Sequence, residues 1–246
     1  MRGAVVSISE GRNGAAATKA RILDAAEALF MEHGFEATSL RAITAAAGAN
    51  LAAVNYHFGS KEELFEAVLK RRLDPMNQRR VALLTQLEHD AAGRPVPADR
   101  VVSAMIMPAL ELARDPARGG ANFLRLLGRA YADPAPFIRR FLSVHYAEMI
   151  ARFKEAFARA LPNLPRRELS WRLHFIMGAL SYTLAGTDAL KLIHEIAPSD
   201  DGGNDELLLR RLAPFLLGGL TAPLADLDEA PGDLDGAPGI PPGPSR

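Results

Sequence analysis

Along this chain apolar residues recur three and four positions apart, with polar residues between them, and nowhere alternate one by one over a useful length. That spacing predicts helices and no strands. The first run carries Ile22, Ala25, Ala26, Leu29 and Phe30 on one face, with Thr18 as its expected cap and Gly34 as its left-handed stop. Residues 1–17 are small and polar without an apolar period and are expected to form a flexible arm. Thr38 is the expected cap of a short second helix that turns Leu40, Ile43 and Ala47 inward and ends at Gly48. Asn50 caps a third helix from Leu51 to Tyr56, and Ser60 a fourth that opens on Lys61, with Glu63 at the capping-box position. This fourth helix carries Leu64, Phe65, Val68 and Leu69 on one face as far as Pro75, which kinks it or starts a new segment.

Beyond the break at Gly93-Arg94-Pro95, helical periods recur over Val101 to Ala113, Phe123 to Tyr131, Phe137 to Ala160, Glu168 to Ala185 and Glu206 to Leu217. From Ala222 onward Pro, Gly and Asp dominate, so residues 222–246 are expected to be a disordered tail. The expected fold class is all-α. A small helix-turn-helix domain over residues 18–65 precedes a helical ligand-binding and dimerisation domain over residues 66–221.

Composition narrows the function. With 246 residues, 48% hydrophobic and 24% charged, the chain has ordinary globular usage and can bury a core without staples. It has no cysteine, which excludes disulfides and thiolate metal sites. The N-terminus lacks an apolar leader core, and no run of about 18 apolar residues could span a membrane, so a cytoplasmic protein without a membrane partner is expected. The formal net charge is zero, against the basic excess usual for nucleic-acid binders. The tail, however, holds Asp226, Asp228, Glu229, Asp233 and Asp235 against Arg246, which leaves the rest of the chain modestly basic.

Two short capped helices around a glycine-containing turn have the form of a helix-turn-helix. On the third helix, Asn50, Ala52, Ala53 and Asn55 are the small or polar positions outside the expected core. An asparagine amide pairs with adenine N6 and N7, and an alanine methyl meets a thymine methyl, so Asn55 is the first candidate base reader. Lys61 stands in the first turn of the fourth helix, where free backbone N–H groups also favour phosphate. Thr38 and Arg41, on the second helix, are further backbone candidates.

The run Thr38-Ser39-Leu40-Arg41-Ala42-Ile43, then Ala46-Ala47-Gly48-Ala49-Asn50, then Asn55 through Leu64 resembles the DNA-binding domain of the TetR family, within a contiguous match from Thr18 to Leu69. The resemblance implies double-stranded DNA with a palindromic operator as partner, a homodimer, and backbone contacts from Tyr56, His57 and Lys61. It places the dimer bundle in the helices around Glu168 to Ala185 and Glu206 to Leu217, where Gly178, Ala179 and Gly218 permit close approach. Phe123 through Gly128, Leu164 through Gly178 and Asn50 through Phe58 are similar to the fatty-acid-responsive regulators of β-oxidation. That similarity implies a repressor released by an apolar effector, a long-chain fatty acid or acyl-CoA.

Phe123, Leu126, Leu127, Trp171, Phe175, Met177 and Tyr182 are then candidate walls for an acyl chain. Arg129, Arg172 and His174, with Arg125, are candidates for its headgroup. The same side chains read otherwise as plain core, ion pairs or a structural histidine. No Gly-x-Ser-x-Gly elbow, phosphate loop or His-Glu-x-x-His helix is present, and neither enzymatic activity nor a cofactor is expected. His145 and Glu148, three apart, could share a metal or form an ion pair. A helical scaffold without operator binding is the alternative to a regulator, with an all-helical enzyme behind it.

Overall fold

The computed structural model describes residues 4–115, 119–132, 135–184 and 205–224, and all their regular structure is helical. The helices are α1 (Ala4–Ala37), α2 (Leu40–Ala47), α3 (Leu51–Phe58), α4 (Lys61–Asp90), α5 (Ala98–Ala113), α6 (Gly120–Ala132), α7 (Pro136–His145), α8 (Ala147–Ala160), α9 (Arg166–Leu184) and α10 (Asp205–Thr221).

Local chemistry sets the reader. Gly34, at φ 80° and ψ 176°, kinks α1 and turns the chain toward α2. Gly48 is left-handed at φ 58° and donates its N–H back to the last turn of α2, an ordinary αL stop. The Asn50 side chain accepts from Ala53 N at 2.9 Å, and the Ser60 hydroxyl accepts from Glu63 N at 3.1 Å, so both expected caps form. Helix α3 runs on past Tyr56 to Phe58, which is buried with Val54.

Two expected caps do not form. Helix α1 starts at Ala4 rather than Thr18, and the Thr18 hydroxyl donates to Gly14 O at 2.9 Å from inside the helix. Ala15, Ala16 and Ala17 are the strongest of helix formers, so the segment read as an arm continues the helix. At α2 the cap is Ser39, whose hydroxyl accepts from Ala42 N. Thr38 is buried, and its hydroxyl donates to Gly34 O at 2.7 Å, with Leu29 O at 3.2 Å.

Tertiary packing decides the longer helices. Pro75 neither ends α4 nor starts a new segment, because Leu73, Met76 and Leu84 are buried around it and α4 packs along α5. That packing outweighs a proline cost of about 3 kcal/mol. The single helix expected from Phe137 to Ala160 is divided at Tyr146 (φ −109°, ψ 15°) into α7 and α8. The break buries the Tyr146 ring, and its hydroxyl donates to Asp74 Oδ1 on α4 at 2.9 Å. Burial, followed by that hydrogen bond, pushes the phenol far above its ordinary pKa, so it stays a donor.

One apolar core runs from Ile22, Phe30, Ile43 and Val54 in the reader to Phe123, Leu127, Phe157 and Leu169 beyond it. The seam between the two parts is aromatic. Phe65 lies 5.0 Å from Phe30 and 5.1 Å from Phe35 between ring centroids, and Phe35 lies 4.8 Å from Phe137 on α7. Beside it, buried Glu27 on α1 grips Arg72 of α4 through both oxygens, at 2.6 and 3.1 Å. Among the tail residues, Ala222, Pro223 and Leu224 are described without helix; those from 225 on, like Ala185, lie outside the described residues.

Candidate DNA-reading face and effector cavity

Helix α3 is amphipathic at close range. Val54 and Phe58, four apart, face inward, which turns Ala52, Asn55 and Tyr56 to the opposite side, where all are exposed, Tyr56 by 82%. Ala53 is half-buried against the core. Asn50 is exposed, but its side-chain oxygen is committed to the cap, which leaves only its amide nitrogen for a base. The His57 ring sits 5.0 Å from Tyr56, edge to face.

Arg41 is exposed on α2, whereas buried Thr38 is taken up by α1 carbonyls and is withdrawn as a phosphate contact. Lys61 Nζ lies 4.2 Å from the centroid of the Phe35 ring and donates to Glu36 O at 3.5 Å, so it leans on the end of α1. Two cations that sequence reasoning passed over stand near this face. Lys19 Nζ is 5.6 Å from the Phe58 ring, and Arg21 Nε donates to Ala47 O at 3.1 Å, which ties α1 to the turn. Both are exposed, and nothing in the sequence set them apart from ordinary solvated charges.

The second feature is a cavity of about 610 Å³ walled by α4 to α9. Met105 and Ile106 of α5, Leu142 of α7, Tyr146 at the break, Phe153 and Phe157 of α8, and Leu173 and Ile176 of α9 give it an apolar surface. Its charged lining comprises Arg80, Arg139 and Lys154, with His174 beside them; among the described residues no carboxylate lines it. Volume and character suit a small amphiphile.

Of the residues expected there, His174 and Met177 line the cavity. Phe123, Leu126 and Leu127 are buried in the core outside its wall, and Arg129 is exposed elsewhere. Trp171, Phe175 and Tyr182 point outward from α9, exposed by 51%, 63% and 54%. At 100° per residue these positions and Gly178 fall within about 60° of one another, the side away from Leu173, Ile176 and Leu180. Arg172 is buried but committed: its Nε donates to Glu168 Oε1 at 2.9 Å, and its Nη groups donate to the carbonyls of Leu220, Ala222 and Pro223, which caps α10.

The wall residues missed by sequence, Asn77, Arg80 and Tyr146 among them, carried no distinguishing signal, since periodicity marks an apolar face without saying whether a neighbour fills it. His145 does not pair with Glu148 across the helix break; its Nε2 lies 3.1 Å from Asp74 Oδ1. No metal-holding cluster occurs among the described residues, and no helix among them is long and apolar enough to cross a membrane.

Comparison with known proteins matches both parts. Residues 22–68 fit the model for bacterial regulatory proteins of the tetR family, and residues 103–219 fit the tetracyclin repressor-like C-terminal domain. The HTH-type transcriptional repressor ComR of Escherichia coli (strain K12) is 48% identical over 52 residues, 21% of this chain and 25% of that protein. The HTH-type transcriptional dual regulator CecR of Shigella flexneri is 51% identical over 49 residues, 20% of this chain and 22% of that one. The match thus spans about a quarter of either relative. The fatty acid degradation regulator FadR from Bacillus halodurans superposes with a TM-score of 0.51 at 18% identity, over 83% of this chain and 96% of that one, a likeness of fold. A capped reader with α3 presented to solvent, continued through α4 into a hollow helical domain, and matched in both parts by the family's models, places the chain in the TetR family of transcriptional regulators.

Proposed function

We propose that the protein is a homodimeric repressor that reads a palindromic operator with α3 and leaves it when a long-chain fatty acid, or its coenzyme A thioester, enters the cavity. The observation that carries this reading is α4. It begins at Lys61 beside the reader and reaches the cavity wall at Asn77 and Arg80 without interruption. Lys61 and Arg80 are about 28 Å apart along one helix axis, so a rearrangement of the wall moves the reader with it. The effector shifts the equilibrium only as far as it prefers the non-binding arrangement. The apolar wall, lined among the described residues by cations and by no carboxylate, supports an acyl effector, and the outward aromatic face of α9 supports pairing of two copies. Pairing sets two α3 helices about one DNA turn apart, hence the palindrome.

Asn55, with Ala52 beside it, is assigned to the bases, and Arg41, Tyr56, His57 and Lys61 to the backbone. Footprinting across the promoter next to its own gene tests the reading: a protected palindrome that weakens steeply with salt is expected, and none at low salt overturns it. On that site Asn55→Ala is expected to cost about 1–3 kcal/mol and relax sequence preference, while Lys61→Ala weakens specific and random DNA alike and lowers the salt slope by about one. Equal losses on specific and random DNA for Asn55→Ala remove it from base reading.

A further inference from the structure

We infer that Arg80 is the seat of a carboxylate, so that the effector is recognised as a free acid with its headgroup inside the cavity. This rests on the cavity being the effector site, and it goes further by choosing between acid and thioester. Helix α4 carries four arginines. Arg71 and Arg72 meet Glu27, Arg79 meets Glu111, and Arg80 alone meets neutral oxygens: its Nε donates to Met105 O at 2.8 Å and its Nη1 to Asn77 Oδ1 at 2.9 Å. A guanidinium half-buried in an apolar wall, with no counter-charge among the described residues, is a costly arrangement that an arriving anion relieves.

The fork is also oriented. Met105 O and the buried Asn77 amide fix two nitrogens of this cavity-lining side chain, and among the described residues Nη2 has no protein acceptor. A planar carboxylate matches such a fork better than a thioester carbonyl, which carries no charge. The other cations do not compete on equal terms. Arg139 and Lys154 are exposed, where water screens an ion pair and leaves it weak. Arg80 therefore supplies headgroup discrimination, and the apolar wall supplies affinity for the chain.

The test is calorimetric titration of the full chain with palmitate, palmitoyl-CoA and hexadecanol below their micellar concentrations. Palmitate is expected to bind at least about tenfold more tightly than either of the others. In Arg80→Gln palmitate falls to within about threefold of hexadecanol while hexadecanol binding is unchanged, which also shows that the variant is folded; Arg80→Lys keeps part of the preference. The double variant Arg139→Gln/Lys154→Gln keeps all of it. Equal binding of palmitate and hexadecanol by the natural protein, tighter binding of the thioester, or a preference that survives in Arg80→Gln overturns the assignment and leaves the cavity an acyl site. If none of the three compounds binds, the acyl-site reading falls, and the assignment with it.

Discussion

Aspartate at Trp171 and Phe175 together is expected to convert the protein to a monomer and to lower operator affinity by a factor on the order of 10² to 10⁴, the gain that linkage of two half-site contacts provides. The two rings stack at 6.0 Å between centroids on the outer face of α9, and Tyr182 extends the same stripe. Phe215 of α10 is 70% exposed. Large rings gathered in the open mark an interaction surface. Among the described residues, nothing beyond the helix's own adjacent backbone lies within 4 Å of where a Cβ would stand on Gly178 or Gly218, which leaves room for a second helix pair to approach. Two carboxylates set into that contact could be neither solvated nor paired. Neither ring supports the core, so helicity is expected to persist. Sedimentation and footprinting on one and two half-sites check the result; a variant that remains dimeric, or a monomer with undiminished affinity, overturns the assignment of this face.

Glu27→Ala is expected to cost about 3–5 kcal/mol of stability, because it strands a charge inside the protein. Glu27 is almost wholly buried; one oxygen is 2.6 Å from Arg72 Nε and the other 3.1 Å from both Arg72 Nη2 and Arg71 Nη1. Arg71 is partly exposed and keeps Asp24 at 2.5 Å, so its loss is small. Arg72 has only 14% of its side chain accessible and no second carboxylate within reach among the described residues. Removing both partners in Glu27→Leu/Arg72→Leu is expected to cost clearly less than the single change, which a double-mutant cycle in urea measures. A single-variant loss below about 1 kcal/mol overturns the account.

What could be read from the sequence was what short-range bonds determine. Asn50 and Ser60 were legible as caps because each bonds an N–H three residues on. Thr38 and Ser39 were two adjacent hydroxyls, and which one caps depends on the α1 carbonyls that claim Thr38, a contact no local rule contains. The division between α7 and α8 has no glycine or proline to announce it; it follows from the Tyr146 bond to Asp74, far away in sequence. The same limit governs the sites. The stripe of Trp171, Phe175 and Tyr182 was visible as apolar, but an apolar stripe serves a ligand or a second subunit equally well until the neighbouring helices are placed. Arg172 was visible as a cation, and only the end of α10 shows what it holds. The cavity lies where helices fail to meet, and a void has no letter in the chain.

The aromatic seam bears on how freely such a regulator could be re-engineered by exchange of parts. Phe35 and Phe65 belong by sequence to the reader, and Phe137 to the hollow domain, yet the three rings form one packed unit on which Lys61 also rests. A hybrid cut just after Phe65 would place foreign side chains against Phe35 and alter the support of Lys61, the lysine proposed to contact DNA, even with every residue of α3 retained. Transplanting this reader onto another sensor therefore requires carrying an aromatic at the start of α7 along with it.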